Sequence, residues 1–210
     1  MEEYQPLYDP TFVGRERELD WLDEHLSMRL GRQTPTFVVG LGGIGKTALV
    51  KQWLASRNNR RLEPWGVASP LWVDLYSRPQ GETELSQFIE ELYAANSASE
   101  PRLRESIVIL DGAEALSDRF TEYAIGRLFN LKRIRAVVVT SRRQPNIKRA
   151  DVLALTPLLS TDAERLFRAL ASDALLATDL SAATEFAHGF PLAISLLARL
   201  VASRGASTVA

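Results

Sequence analysis

Short, unbroken apolar runs alternate with stretches whose apolar residues recur every three or four positions, and the alternation holds to about residue 156. Thr36-Phe37-Val38-Val39, Leu71-Trp72-Val73-Asp74-Leu75, Ser106 to Leu110, Arg135 to Thr140 and the weaker Val152 to Leu155 are apolar and partly β-branched, which predicts five strands. Helical stripes lie among them. Leu19, Leu22, Leu26 and Leu30 share one face of a helix from about Glu16, and Leu49, Val50, Trp53 and Leu54 mark a second. Leu85, Phe88, Ile89 and Leu92 follow Thr83 as N-cap, and Phe120, Ala124, Leu128 and Leu131 follow Ser117 as N-cap. Strands alternating with helices predict an α/β fold: an open, mostly parallel sheet flanked by helices on both faces. Residues 1 to 11 carry Pro6 and Pro10 and no period, so they read as an extended lead-in, and Asn58-Asn59-Arg60-Arg61 reads as a polar connection.

The period changes after Pro157. Thr161-Asp162-Ala163-Glu164 fits a capping box ahead of a stripe formed by Ala163, Leu166, Phe167 and Leu170. A short helix is expected from near Ser181 to a C-terminal cap at Gly189, and Pro191 suits the first position of a last helix, Leu192 to Ala202. The expected organisation is a sheet domain over residues 1–156 and a small all-helical subdomain over residues 157–210.

The connection after the first strand carries the most specific chemistry. Gly40-Leu41-Gly42-Gly43-Ile44-Gly45-Lys46-Thr47 fits the phosphate-loop pattern G-x-x-x-x-G-K-[ST] at every fixed position. Glycines let the main chain curl so that several N–H groups converge on one polyphosphate. Lys46 adds a full charge, Thr47 offers a hydroxyl to Mg²⁺, and the helix that Ala48 continues turns its positive end to the same anion. A plain glycine-rich turn is the competing reading, but the strand before and the helix after are the context that the pattern requires.

Two further strand ends add candidates. Ile107-Val108-Ile109-Leu110-Asp111-Gly112-Ala113-Glu114 delivers carboxylates at a strand C-terminus, the edge at which open α/β sheets hold ligands. Asp111 is the candidate for the Mg²⁺ shell and Glu114 for polarising a water; a turn-capping Asp111 and a surface Glu114 are the plain alternatives. Val137-Val138-Val139-Thr140-Ser141-Arg142 ends a strand in hydroxyls and a guanidinium. Arg142 is the candidate sensor of the outer phosphate, with Arg143 as competitor and a solvated basic loop (Arg142, Arg143, Lys148, Arg149) as the plain reading.

Composition narrows the picture. The chain has 210 residues, 46% of them hydrophobic, with a net charge of −1, so no global field recruits nucleic acid or an anionic membrane. With no cysteine, disulfide frameworks and cysteine zinc sites are excluded. The N-terminal residues have neither the basic nor the apolar segment of a secretory leader, and no apolar run is long enough to span a bilayer; a cytoplasmic location is expected. His25 and His188 lack ligand spacing, and Trp21, Trp53, Trp65 and Trp72 are expected in the core or its rim.

In this order, these pieces resemble the signal-transducing STAND class of P-loop NTPases, in particular its NB-ARC members. Phe12-Val13-Gly14-Arg15-Glu16 resembles the family's lead-in motif, whose backbone meets the adenine. The phosphate loop is close to the family's form, Val139-Thr140-Ser141-Arg142 resembles its sensor strand, and Asp162-Ala163-Glu164-Arg165-Leu166-Phe167 resembles its first appended helix. Gly189-Phe190-Pro191-Leu192-Ala193 resembles the Gly-Leu-Pro-Leu motif, whose proline packs near the base. The acidic strand departs from NB-ARC, where adjacent acids are usual; Asp111-Gly112-Ala113-Glu114 is more like the related NACHT branch.

The resemblance implies an ASCE/AAA+-like P-loop sheet with an ARC1-like helical appendage. It implies ATP or ADP with Mg²⁺ as cofactors, held by Val13, Gly14, Arg15, Gly40, Gly42, Gly43, Ile44, Gly45, Lys46, Thr47, Ala48 and Pro191. Slow ATP hydrolysis through Lys46, Asp111, Glu114 and Arg142 would reset a switch that controls assembly with protein partners or further copies. The family's winged-helix domain is expected after the last helix, so the chain reads as an excised core or a minimal member. The rivals are a non-hydrolysing nucleotide-binding scaffold, an ordinary P-loop ATPase or kinase, and a DNA-handling AAA-type ATPase. The near-neutral charge argues against direct contact with nucleic acid.

Overall fold

The computed structural model describes residues 7–28, 33–58, 70–76, 81–97, 106–131, 133–144, 146–171 and 177–207. The expected positions Leu30, Asn59 to Arg61 and Trp65 lie outside them.

Helix α1 (Glu16–Met28) precedes strand β1 (Thr36–Val39), and helix α2 (Lys46–Asn58) follows the phosphate loop. Next come β2 (Leu71–Asp74), α3 (Gly81–Ser97), β3 (Ser106–Asp111), a short 3₁₀ turn at Ala113–Ala115, α4 (Asp118–Asn130), β4 (Ile134–Ser141) and β5 (Asp151–Ala154). The five strands form one sheet in the order β2-β3-β4-β1-β5, each pair parallel. The α/β fold with an open parallel sheet is as expected.

Strand side chains alternate between two apolar layers. Phe37, Val39, Val108 and Leu110 pack with α3 and α4, whereas Val38, Ile107 and Ile109 pack with α1 and α2. Burial on both faces explains why the strands read as unbroken apolar runs. Trp53 is fully buried and donates its indole N–H to Asp23 at 2.6 Å, which satisfies the polar atom that burial would otherwise strand.

The last part is helical: α5 (Ser160–Leu170), α6 (Ala177–Phe186) and α7 (Pro191–Ser207). Ala163, Phe167, Ile194 and Ala198 form a third apolar cluster, against which Val13 also packs.

Three local expectations change. Ser117 caps α4, accepting from the Phe120 N–H at 3.3 Å, but Thr83 is not an N-cap because α3 already begins at Gly81. The capping box at Thr161 does not form. Helix α5 starts at Ser160 with Leu159 at the cap and no side-chain cap bond, because Leu158 N–H is tied to the Gly189 carbonyl at 2.9 Å and fixes where the chain enters. Helix α6 starts by Ala177, earlier than Ser181.

Helix α6 ends on two left-handed residues, His188 (φ 47°) and Gly189 (φ 71°). A Cβ on Gly189 would lie 2.4 Å from the Leu158 carbonyl oxygen, a backbone atom that cannot move aside cheaply. Gly189→Ala is therefore expected to cost about 2 kcal/mol or more, from strain at positive φ together with the clash. Urea unfolding of the purified variant would show it, and an unchanged midpoint would remove the constraint.

Candidate functional site

The phosphate loop sits where open α/β sheets hold ligands, at the C-terminal edge. Register brings the acidic and sensor strands to the same place: Asp111 lies opposite Thr140, and Thr140 opposite Val38 one residue before the end of β1. Inserting β4 between β1 and β3 thus aligns loop, acid and hydroxyl in one row.

Within the loop, Gly43 (φ 75°) and Gly45 (φ 100°) take the left-handed conformation. The Lys46 ammonium is 5% exposed as a residue and donates to the carbonyls of Gly40 at 2.7 Å and Leu41 at 3.0 Å. Burial lowers its pKa from the ordinary lysine value, opposed by the nearby Glu114 and Asp111 carboxylates.

Asp111 is buried and accepts from Thr47 Oγ1 at 2.9 Å and Thr140 Oγ1 at 2.5 Å. Burial raises its pKa, while the bonds from Thr140 and Thr47 pull it back. The two residues proposed for the metal, Thr47 and Asp111, are thus already in contact.

Glycine at position 112 has a geometric reason. Gly112 takes φ 91°, its N–H donates to Thr140 Oγ1 at 2.9 Å, and a Cβ there would lie 2.6 Å from the Tyr76 ring. This turn leads into the 3₁₀ segment that brings Glu114 back beside the loop. Glu114 accepts from the Tyr76 hydroxyl at 2.5 Å and pairs with Arg142 Nε at 2.7 Å. Burial, then the bond to Glu114, pushes the Tyr76 phenol up to about 12, so it remains a donor. Arg142 stays beside the loop: a Cβ on Gly42 would lie 3.6 Å from its guanidinium carbon. Arg143 turns elsewhere, to Asp118 at 3.0 Å and the Leu116 carbonyl at 3.3 Å.

Two adjoining cavities run along these residues. One, about 380 Å³, is lined by Gly42, Gly43, Gly45, Lys46, Thr47, Tyr76, Arg142 and Leu192. The other, about 220 Å³, is lined by Phe12, Val13, Arg15, Ile44, Leu166 and Leu170. Gly45, Ala48, Pro191 and Ser195 line both. Gly40 lies behind the loop, its carbonyl on Lys46, and Gly14 approaches Asp162 of α5. Leu192 N–H donates to the Gly43 carbonyl at 3.2 Å, so the helical part touches the loop directly.

Residue patterns did not reveal Tyr76 or Ser195. Tyr76 falls just past β2, at the edge where ligands bind, and Ser195 lies one helical turn after Pro191 with its hydroxyl donating to the Pro191 carbonyl at 2.8 Å. Position relative to the strand end and to the proline was the available signal for each.

A comparison with protein families matches the AAA ATPase domain over residues 11–200, most of the chain. The chain belongs to the AAA ATPase domain family. A comparison with curated proteins finds no match. Among solved structures, this AAA ATPase domain is similar to the Aeropyrum pernix ORC2 protein in its ADPNP-ADP complexes, with TM-score 0.69, 15% identity, and coverage of 98% of this chain and 66% of that one. It is also similar to Drosophila ORC bound to DNA (TM-score 0.67, 16% identity, 96% and 58% covered). A third likeness is to a Signal Transduction ATPase with Numerous Domains carrying a tetratricopeptide repeat sensor, from Pyrococcus horikoshii (TM-score 0.50, 17% identity, 89% and 29% covered). At these identities the likeness is one of fold, and the AAA ATPase domain spans 58% of the length of the Drosophila chain.

Proposed function

We propose that this nucleotide-binding domain is a switch of the STAND type, close to NB-ARC, that binds ADP or ATP with Mg²⁺ and hydrolyses ATP slowly. One observation carries the reading: the hollow over the phosphate loop has walls from both the sheet part and α7, through Pro191, Leu192 and Ser195. A ligand filling it touches both parts and can shift their arrangement by its difference in affinity for the two.

The residues suit the cofactor. The glycine turns leave the 380 Å³ cavity open above the loop, and Lys46 and Arg142 both line it. Gly43, Gly45, Lys46, Thr47 and Ala48 would hold the phosphates, Thr47 and Asp111 the Mg²⁺ shell, and the main chain of Val13, Gly14 and Arg15 together with Pro191 the adenine end. Bound Mg²⁺ supplies charge neutralisation on the phosphates. Of the chain's own groups, Glu114 would orient and deprotonate water and Arg142 would register the outer phosphate.

In this reading residues 1–156 are the sheet domain and 157–210 an ARC1-like lid, with protein partners or further copies as the output. Direct contact with nucleic acid is not part of it: the net charge is −1, and Arg142 and Arg143 are engaged by Glu114 and Asp118. No helix among the described residues is long and apolar enough to cross a membrane.

The test is a parallel measurement of ADP and ATP affinity and of turnover. Micromolar or tighter binding with hydrolysis on the order of 10⁻² s⁻¹ or slower fits a switch. Rapid phosphoryl transfer to an added acceptor favours an ordinary kinase, and binding with no hydrolysis favours a scaffold. Arg142→Ala is expected to reduce the ratio of ATP to ADP affinity about tenfold, since one charge-assisted contact to the outer phosphate is lost. Competition titration reads this directly, and an unchanged ratio removes Arg142 as sensor.

A further inference from the structure

Arg15 is an arginine in a place where arginines are rare. It is 8% exposed and takes φ 68°, a left-handed conformation that costs a non-glycine residue free energy unless the surroundings hold it. Its guanidinium joins three separate segments. Nη1 pairs with Glu18 of α1 at 2.7 Å. Nη2 donates to the Thr156 carbonyl at 2.6 Å and also lies 3.4 Å from the Ile44 carbonyl.

Those carbonyls are informative. The Ile44 carbonyl and the Gly45 N–H belong to one planar trans peptide unit, so they point in opposite directions and turn together. A group that holds the carbonyl therefore aims the Gly45 N–H away from itself, and Gly45 lines both cavities. Thr156 is the last residue before Pro157, where the chain leaves β5 for α5. The neighbouring Gly14 meets α5 itself: a Cβ there would lie 2.8 Å from the Asp162 carboxylate. The phosphate loop and the start of the helical part thus share one fork of donors, which suits a guanidinium and not an ammonium.

We propose that Arg15 is a positioning residue that couples the two: it orients the phosphate loop and anchors the linker to the helical part, so that nucleotide on the loop is felt at the lid. This rests on the switch reading given above and adds the side chain that transmits it.

The chain has no cysteine, so E122C on α4 and E185C on α6, both at exposed positions, give two clean attachment points for spin labels. In the otherwise unaltered protein, ADP with Mg²⁺ is expected to narrow the distribution of label-to-label distances. Arg15→Met is expected to broaden that distribution before ADP is added, to abolish the narrowing, and to weaken ADP about tenfold by calorimetry. Arg15→Lys, with charge but no fork, is expected to fall between. A residue that merely held the fold together would lower Tm and leave the response to ADP intact. That pattern in both variants, or distributions unchanged in both, overturns the proposal. Should Arg15→Met fail to fold, Arg15→Lys decides by the same readouts. If the unaltered protein takes up no ADP, the nucleotide reading fails instead. The widths without ADP then judge the coupling alone: broadening in the variants supports it and no change refutes it.

Discussion

Lys46→Ala is expected to weaken ADP and ATP by about 3 kcal/mol, on the order of 100-fold or more, while the protein stays folded. The ammonium sits within the loop on the Gly40 and Leu41 carbonyls, so a phosphate meets a cation already in place and already stripped of most of its water. Stability should change little, because the two bonds lost are offset by relief of a buried charge. The pH dependence has a definite sign. Only the protonated amine attracts phosphate, and burial lowers the Lys46 pKa, so affinity should fall as pH rises through a range below that of ordinary lysines. That alkaline decline should vanish in the alanine variant. Calorimetric titration across pH, with circular dichroism as a folding control, reads both effects; a folded variant that binds within a few-fold of the unaltered protein contradicts the assignment.

Glu114→Gln is expected to lower ATP turnover by about 10² to 10⁴ while leaving ATP affinity nearly unchanged. The amide is isosteric and keeps one oxygen for the Tyr76 hydroxyl and the Arg142 Nε–H, while it loses the basic carboxylate, the charge of the pair with Arg142 and the acceptor for the Arg142 backbone N–H. Single-turnover hydrolysis measures this with bound nucleotide held constant. Unchanged turnover would reduce Glu114 to an anchor for Arg142, and a parallel loss of binding would make it a structural support.

How much of this was legible in the sequence depended on the length scale of the cause. Runs such as Val137-Val138-Val139 and the pattern from Gly40 to Thr47 report their own local structure: the run lies in β4, and the pattern joins β1 to α2 as its fixed positions require. The pairing of Thr47 with Asp111 is also close to the surface of the sequence, since Thr47 closes the phosphate-loop pattern at the start of α2 and Asp111 ends β3. What stayed hidden was set by contacts distant in the chain. The cap at Leu159 depends on Gly189 holding Leu158 across thirty-one positions (189 less 158), so a plausible capping box at Thr161 lost to a tertiary hydrogen bond. Strand order is a global property that no single segment encodes, and it alone decides that Thr140 stands between the loop and Asp111. Gly112, between Asp111 and Glu114, became intelligible only with the Tyr76 ring placed against it.

The central claim is that one nucleotide fills the hollow shared by the phosphate loop and α7. A crystal structure of the protein grown with ADP and Mg²⁺ tests it most directly. The account predicts phosphates over Gly43 to Thr47 and the base between Val13 and Pro191, with α7 in contact. Nucleotide bound elsewhere, or a hollow left empty at saturating ADP, would contradict it.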